Sequence, residues 1–184
     1  MLSEKENTHI SKFLSLVLRH KPEQIGIKLN ENGWVNVEDL IILSGKAGVN
    51  FNFNELKHIV DTNNKKRFAF NDDCTLIRAS QGHSVIINSG YEPQQPPEVL
   101  YHGTAIKNFD SILANGLNKA NRLHVHLSSD KETAVNVGSR HGKPVVLEIL
   151  ALQMHNDGFA FYLSDNKVWL TDNVPAKYLR SINN

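Results

Sequence analysis

The sequence contains little cysteine, little net charge and no long apolar run. Cys74 is the single cysteine among 184 residues, so the chain has no internal disulfide and no cysteine pair to hold zinc. The 20 Lys and Arg residues against 19 Asp and Glu residues leave a formal charge of +1. Nucleic acid would therefore have to be bound by a local basic cluster, because no general basic field attracts it.

Targeting segments and common nucleotide-binding motifs are also absent. No apolar stretch approaches the roughly 20 residues that cross a bilayer, and Glu4 and Glu6 stand where a signal peptide needs basic and apolar residues. We therefore expect a cytoplasmic protein without a membrane partner. The chain has no P-loop and no Gly-x-Gly-x-x-Gly motif, so neither NTP hydrolysis nor Rossmann dinucleotide binding is supported.

A proline-rich segment divides the chain. Residues 88–98 contain three of the six prolines and almost no apolar side chains, which is typical of a stiff, extended linker. We therefore predict an N-terminal domain at 1–87 and a C-terminal domain at 99–184, joined by this linker.

The N-terminal half shows the element order of a winged helix. Apolar residues recur at helical spacing from Ile10 to Leu18, and two Asn residues stand at capping positions before later helices. The predicted elements are a helix preceded by Thr8 and ending near Pro22, a strand at 33–35, helices capped by Asn36 and Asn52, and a hairpin over 66–78.

Three basic residues in this half are candidates for binding an anion. Arg19 and His20 close the first helix, and alternation along the hairpin places Arg67 opposite the buried side of its strand. Two guanidinium groups that converge match the oxygens of one phosphate. Alternatively, Arg19 and His20 complement the helix dipole and Arg67 belongs to a solvated turn. Taken alone, this half favours the second interpretation.

The C-terminal half reads as mixed helices and strands. A strand at 99–104 ends in a glycine turn, a helix ends at Asn115 and Gly116, and Asp130 can cap a helix that runs to Val137. Further strands are predicted at 122–128, 145–150, 160–163 and 168–170, with a donor-rich loop at 138–144.

The predicted strand at 122–128 would carry polar side chains on one face only. The polar row comprises Arg122, His124, His126 and Ser128. Histidines two positions apart can share a metal ion, but no third ligand accompanies them, so we expect no metal. Because His102, Arg140 and His141 are also close in sequence, the row favours a polyanionic ligand, with buried, hydrogen-bonded histidines as the structural alternative.

An ordered set of motifs resembles the KptA-type RNA 2′-phosphotransferases. The set runs from about residue 9 to 179, and its order makes it specific where each motif alone is weak. The motifs are Leu-Arg-His-Lys-Pro at 18–22, Lys-Arg-Phe at 66–68, the stretch from Ile77 to Ser84, Tyr-His-Gly-Thr at 101–104, and the segments 122–128, 138–144 and 168–170.

The resemblance implies an α+β fold in which a winged-helix lobe is joined to an ADP-ribosyltransferase-like mixed α/β lobe with a central cleft. It implies that RNA carrying a 2′-phosphate, expected to be spliced tRNA, meets NAD⁺ there. In the family, the phosphate first displaces nicotinamide from NAD⁺. The adjacent ribose hydroxyl then takes the phosphate, which releases ADP-ribose 1″,2″-cyclic phosphate. NAD⁺ is thus consumed as a cosubstrate.

The resemblance also implies roles for individual residues. The family's catalytic Arg-His-Arg-Arg set maps onto Arg19, His20, Arg67 and Arg122. The ADP-ribosyltransferase signature positions map onto His102 and His126, and we expect neighbouring residues to bind NAD⁺ with them, namely Gly103, Thr104, His124, Ser128, Thr133 and Arg140. Val168 stands where many protein-modifying relatives carry Glu, and an acceptor that is already anionic needs no carboxylate to deprotonate it. We expect a monomer that works without metal.

Two other functions fit the same motifs. The enzyme would cap a terminal phosphate of a nucleic acid with ADP-ribose if the second step did not occur. Alternatively, a non-catalytic winged-helix protein would bind nucleic acid and sense NAD⁺, although the low net charge disfavours tight duplex binding.

Overall fold

A computed structural model describes residues 2–87 and 90–182 of the chain. Two compact units form, Met1–Gly90 and Tyr91–Asn184. The boundary between them falls inside the predicted linker, of which Asn88 and Ser89 lie outside the described residues. Across the part of the chain that is described, no helix is long and apolar enough to cross a membrane.

The first unit combines helices with a small antiparallel sheet. The elements are α1 (Glu4–Arg19), β1 (Val35–Asn36), α2 (Val37–Lys46), α3 (Phe53–Thr62), β2 (Phe68–Phe70) and β3 (Leu76–Ala79). The sheet has the strand order β1-β3-β2. Their order is the one predicted from the sequence, while the assignment to the winged-helix class stays a prediction.

Side-chain caps determine where the helices of this unit begin. The side chains of Asn36 and Asn52 accept hydrogen bonds from the third residue of α2 and α3, which confirms both predicted caps. Helix α1 begins earlier than expected, because Ser3 and Glu6 form a reciprocal capping box ahead of Thr8. The apolar stripe begins only at Ile10, so it could not reveal this exposed first turn.

The core of the first unit holds the end of α1 against the hairpin. Leu14 and Leu18 of α1 are fully buried together with Leu56 of α3 and Ile77 of β3. Each such side chain stabilises the fold by about 1.5–3 kcal/mol relative to exposure. This packing places the last residue of α1 beside the β2–β3 hairpin.

The second unit contains three small antiparallel sheets and short helices, in agreement with the α+β class. The elements are β4 (Leu100–Ala105), α4 (Phe109–Asn115), β5 (Leu117–Asn118), β6 (Val125–Leu127), α5 (Lys131–Gly138), β7 (Pro144–Ile149), α6 (Ala151–Asn156), β8 (Tyr162–Leu163), β9 (Trp169–Thr171), β10 (Asn173–Val174) and β11 (Leu179–Ser181). The sheets have strand orders β11-β7-β4, β6-β9-β8 and β10-β5. An ADP-ribosyltransferase-like assignment stays a prediction.

The strand predicted at 122–128 is shorter in the structure. Only Val125–Leu127 forms β6, and Ser128 continues it through an isolated bridge to Tyr101. The partner strand β9 offers only three residues, so the extended pairing stops there. The amide of Arg122 donates instead to the carbonyl of Lys119, which places Arg122 in a turn before the strand.

Residues 91–98 of the predicted linker belong to the second unit. The amide of Gln94 donates to the carbonyl of Phe161 at 2.7 Å, and Pro93 forms a bridge with Tyr162. Pro96 is buried. Proline suits such an edge position because it lacks an amide proton to pair. These contacts hold this part of the segment within the second unit.

Candidate active site

The loop that follows β3 brings Arg19 and Arg67 together. The carbonyl of Arg67 accepts a hydrogen bond from the amide of Ser80 at 2.9 Å. The same carbonyl accepts a second one from the Nη2 atom of Arg19 at 3.4 Å. The backbone just before β2 therefore lies beside the guanidinium group at the end of α1.

The same loop fixes His20. The amide of Ser84 donates to the carbonyl of Arg19 at 2.9 Å, which ties the loop to the last residue of α1. The hydroxyl oxygen of Ser84 lies 2.9 Å from the Nδ1 atom of His20. His20 is exposed, so its ring stays accessible to a ligand.

The guanidinium group of Arg19 also contacts an aromatic ring and a glycine. Its central carbon lies 6.0 Å from the centre of the Phe68 ring, which is buried. A Cβ added to Gly82 would lie 3.5 Å from the Nη1 atom of Arg19. Gly82 has a φ of +87°, a conformation that favours glycine. The half-buried Arg19 side chain is thus held in place rather than free in solvent.

Three predicted site residues of the first unit, Arg19, His20 and Arg67, are therefore contacted by the same loop, Arg67 through its backbone carbonyl. The guanidinium group of Arg19, held in this way, suits an anion with several oxygens, because guanidinium donors match phosphate geometry in pairs. Sequence reasoning gave no role to Ser80, Gly82 or Ser84, which organise this cluster. The one sequence signal for them is the motif stretch from Ile77 to Ser84.

In the second unit, a chain of contacts joins His102, His126 and Arg122. The Nδ1 atom of His102 lies 3.2 Å from the carbonyl oxygen of His126. The Nη1 atom of Arg122 lies 3.4 Å from the Nδ1 atom of His126. These three predicted residues are therefore neighbours, although Arg122 lies outside the strand.

The partners of these histidines determine which ring nitrogens carry protons. A carbonyl only accepts, so the Nδ1 atom of His102 carries the proton and its Nε2 atom is the acceptor. A guanidinium only donates, so the Nδ1 atom of His126 accepts from Arg122. Burial lowers the pKa of His102, the hydrogen bond to His126 opposes this, and the charge of Arg122 lowers it further. His102 is consequently neutral near neutral pH.

Gly103 and Thr104 are engaged in packing. A Cβ on Gly103 would lie 1.6 Å from the carbonyl oxygen of Ala134, so α5 rests directly on β4 at this residue. A Cβ on Gly138 of the same helix would lie 2.8 Å from the carbonyl oxygen of Thr104. Thr104 is 7% exposed, and its hydroxyl accepts a hydrogen bond from Asn108.

The other predicted NAD⁺-binding residues lie in different surroundings. The ring of His124 contacts that of Tyr162 at 5.7 Å, and burial lowers the pKa of His124. The hydroxyl of Thr133 donates to Asp130, the cap of α5. The backbone of Ser128 pairs with that of Tyr101 in β4. Arg140 is exposed in the turn Ser139–His141, where the side chain of His141 lies outside the described residues.

Within residues 2–87 and 90–182, no group of three or more His, Cys, Asp or Glu side chains is placed to hold a metal ion. The expectation that the protein works without metal stays a prediction, because it concerns the reaction.

Comparison with known proteins identifies the family. The model of the RNA 2′-phosphotransferase, Tpt1 / KptA family matches residues 5–173. A probable RNA 2′-phosphotransferase of Flavobacterium johnsoniae is 54% identical over 178 residues, which cover 97% of this chain and 98% of that protein. Those of Fusobacterium nucleatum and Pectobacterium atrosepticum are 51% and 50% identical, over 93% and 96% of this chain and 96% and 98% of theirs. The chain belongs to the RNA 2′-phosphotransferase, Tpt1 / KptA family, which confirms the resemblance seen in the motifs.

Proposed function

We propose that this protein removes an internal 2′-phosphate from RNA by transferring it to NAD⁺. In the first step, a phosphate oxygen bonds to the ribose carbon that carries nicotinamide, and the bond to nicotinamide breaks. In the second, the neighbouring ribose 2″-oxygen bonds to phosphorus, the bond to the RNA 2′-oxygen breaks, and that oxygen takes a proton. The products are nicotinamide, RNA with a free 2′-hydroxyl, and ADP-ribose 1″,2″-cyclic phosphate.

The observation that carries this proposal is that one loop contacts Arg19, His20 and Arg67 in the first unit, with the guanidinium group of Arg19 beside the backbone of Arg67. A phosphate monoester has several charged oxygens, and forked guanidinium donors pair with two of them at once. Hydrogen-bond donors that are already in position stabilise the negative charge that develops on these oxygens when phosphorus is attacked. The contacts of Arg19 with Phe68 and with the carbonyl of Arg67 hold its guanidinium group in position. We assign all three residues to binding the RNA 2′-phosphate.

The second unit has groups suited to the ribose of NAD⁺. His102 presents an acceptor nitrogen at Nε2, and a ribose hydroxyl donates to such an atom. Its lowered pKa keeps this acceptor available near neutral pH. We assign Arg122, which contacts His126 beside it, to the transferred phosphate, as the resemblance implies. Spliced tRNA, which the family resemblance leads us to expect, is the natural source that we propose for that phosphate.

The test uses a short RNA with one internal 2′-phosphate and a matched RNA that lacks it. Each is incubated with the purified protein in EDTA, with and without NAD⁺, and all products are identified by mass. We expect NAD⁺-dependent loss of the phosphate together with ADP-ribose cyclic phosphate. A stable ADP-ribosylated RNA as the final product would favour phosphate capping. Absence of turnover by folded protein would favour a binding module and contradict the proposal.

A further inference from the structure

Asn63 organises the turn that leads into Arg67. Its backbone carbonyl accepts a hydrogen bond from the amide of Lys66 at 2.8 Å. The Oδ1 atom of its side chain accepts from the amide of Lys65 at 3.2 Å and from the amide of Arg67 at 3.4 Å. A single residue at the end of α3 therefore binds three consecutive amides just before β2.

Lys66 has a backbone conformation that is strained for a residue with a side chain. Its φ is +40°, in the left-handed region that favours glycine. Such a conformation persists only where the surrounding contacts determine it. Here the hydroxyl of Ser80 donates to the carbonyl of Lys66 at 2.9 Å, while Asn63 accepts from the amides of Lys66 and Arg67. The peptide group that joins Lys66 to Arg67 is thus hydrogen bonded at both its carbonyl and its amide.

A similar turn in the same sheet provides an internal comparison. The carbonyl of Asn71 accepts from the amide of Cys74 at 3.1 Å, and its side-chain oxygen accepts from the amide of Leu76 at 2.8 Å. Cys74 also has a positive φ, +60°. This turn joins β2 to β3 at the end of β2 that is remote from Arg67. Asn71 therefore closes a hairpin, whereas Asn63 holds the amide of a predicted site residue.

We infer that Asn63 is a positioning residue that acts through Arg67, because it fixes the peptide group from which this arginine side chain extends. The inference rests on the proposed role of Arg67 in binding the RNA 2′-phosphate. An arginine side chain has many rotamers, and a fixed backbone reduces the ordering that remains when its guanidinium group binds a phosphate. Correct placement of such a group contributes to the rate of the reaction. The effect of Asn63 on phosphate transfer should therefore disappear when the Arg67 side chain is removed.

The test is a double-mutant cycle between Asn63→Ala and Arg67→Ala, measured in single turnovers, with Asn71→Ala as a matched control. In the presence of Arg67, we expect Asn63→Ala to lower the rate of phosphate removal about ten- to a hundredfold, the scale of a small misplacement of a binding group, with little change in the affinity for NAD⁺. In the Arg67→Ala background, the same substitution should cause less than about a threefold further loss. Asn71→Ala should match the wild type.

A conservative variant and the control separate positioning from a general weakening of turns. Asn63→Ser keeps a side-chain oxygen that can accept from nearby amides, so it should recover part of the rate. Losses that multiply in the double variant would overturn the inference. A loss of the same size in Asn71→Ala would also overturn it.

A second readout does not depend on turnover. In protein labelled with ¹⁵N, hydrogen exchange of the Arg67 amide should be faster in Asn63→Ala than in the wild type and unchanged in Asn71→Ala. An unchanged exchange rate of this amide in Asn63→Ala would overturn the inference. If the wild type removes no phosphate, the proposed function fails, and the exchange rates still decide whether Asn63 fixes the backbone of Arg67.

Discussion

Replacing Gly103 by alanine tests the contact between β4 and α5. The added Cβ would lie 1.6 Å from the carbonyl oxygen of Ala134 and 2.5 Å from its carbonyl carbon. Both are backbone atoms of α5, so no side-chain rotation relieves the overlap. Ordinary contact between such atoms needs about 3.5 Å, and the helix must therefore retreat from the strand by about 2 Å.

The expected loss of unfolding free energy depends on the contacts between α5 and β4 that break when the helix moves away. Ala134 is fully buried against β4, and Gly138 meets the backbone of Thr104 from the same helix. Overpacking of a core costs about 1–3 kcal/mol and more where the structure cannot yield. Alanine otherwise suits a strand better than glycine by about 0.5–1 kcal/mol. We expect the second unit to lose about 3 kcal/mol of unfolding free energy.

Urea unfolding measures this loss. In a Trp34→Phe background, Trp169 is the remaining tryptophan and its fluorescence reports on the second unit. Gly158→Ala is the matched control, because Gly158 has a φ of +95° and nothing within 4 Å of its added Cβ. That control should lose only about 1–2 kcal/mol from backbone strain. A Gly103→Ala variant as stable as this control, or as the wild type, would refute the packing argument.

Four further outcomes are expected. Arg122→Ala should reduce phosphate removal about a hundredfold or more while the thermal midpoint stays near the wild type, and near-normal turnover would remove it from the site. Arg67→Ala should leave the affinity for NAD⁺, measured by calorimetry, nearly unchanged. A large loss of affinity would show that Arg67 belongs to the NAD⁺ site and not to the phosphate site. The pKa of His102 is lowered in the folded protein, so below about pH 6.5 the unfolded chain binds one proton more than the folded chain. Between about pH 7.5 and 5.5, the wild type should therefore lose more unfolding free energy than His102→Gln. Equal losses in the two proteins would contradict this. Gly82→Ala should lower both stability and turnover. Its control, Gly26→Ala, should lower stability alone, because Gly26 also has a positive φ, +75°, but nothing lies within 4 Å of its added Cβ. Equal turnover in the two variants would show that Gly82 does not support the site.

Features that depend on near neighbours in sequence were predictable. The caps at Asn36 and Asn52 need only a residue three positions later, and both helices begin where expected. The strand at 122–128 was predicted too long, because its length depends on β9, which contributes three residues from far along the chain. Local alternation of polar and apolar residues does not show how much partner strand is available.

The candidate site depends on contacts between distant residues. Arg19 meets the carbonyl of Arg67 across 48 positions, and His20 meets Ser84 across 64. No periodic pattern in the sequence connects such pairs, and from the residues alone the helix dipole was the favoured explanation of Arg19 and His20. The family resemblance indicated which basic residues belong together. The loop at 80–84, which contacts these residues, could be recognised in the sequence only from the family motif that contains it.

The most direct test of phosphate transfer is to follow the oxygen atoms. The purified protein is incubated with 2′-phosphorylated RNA and NAD⁺ in water enriched in ¹⁸O, and the phosphate-bearing product is analysed by mass. Transfer to the ribose of NAD⁺ predicts ADP-ribose cyclic phosphate without ¹⁸O, formed only when NAD⁺ is present. Inorganic phosphate that carries ¹⁸O, or release of the phosphate without NAD⁺, would show hydrolysis and contradict this account.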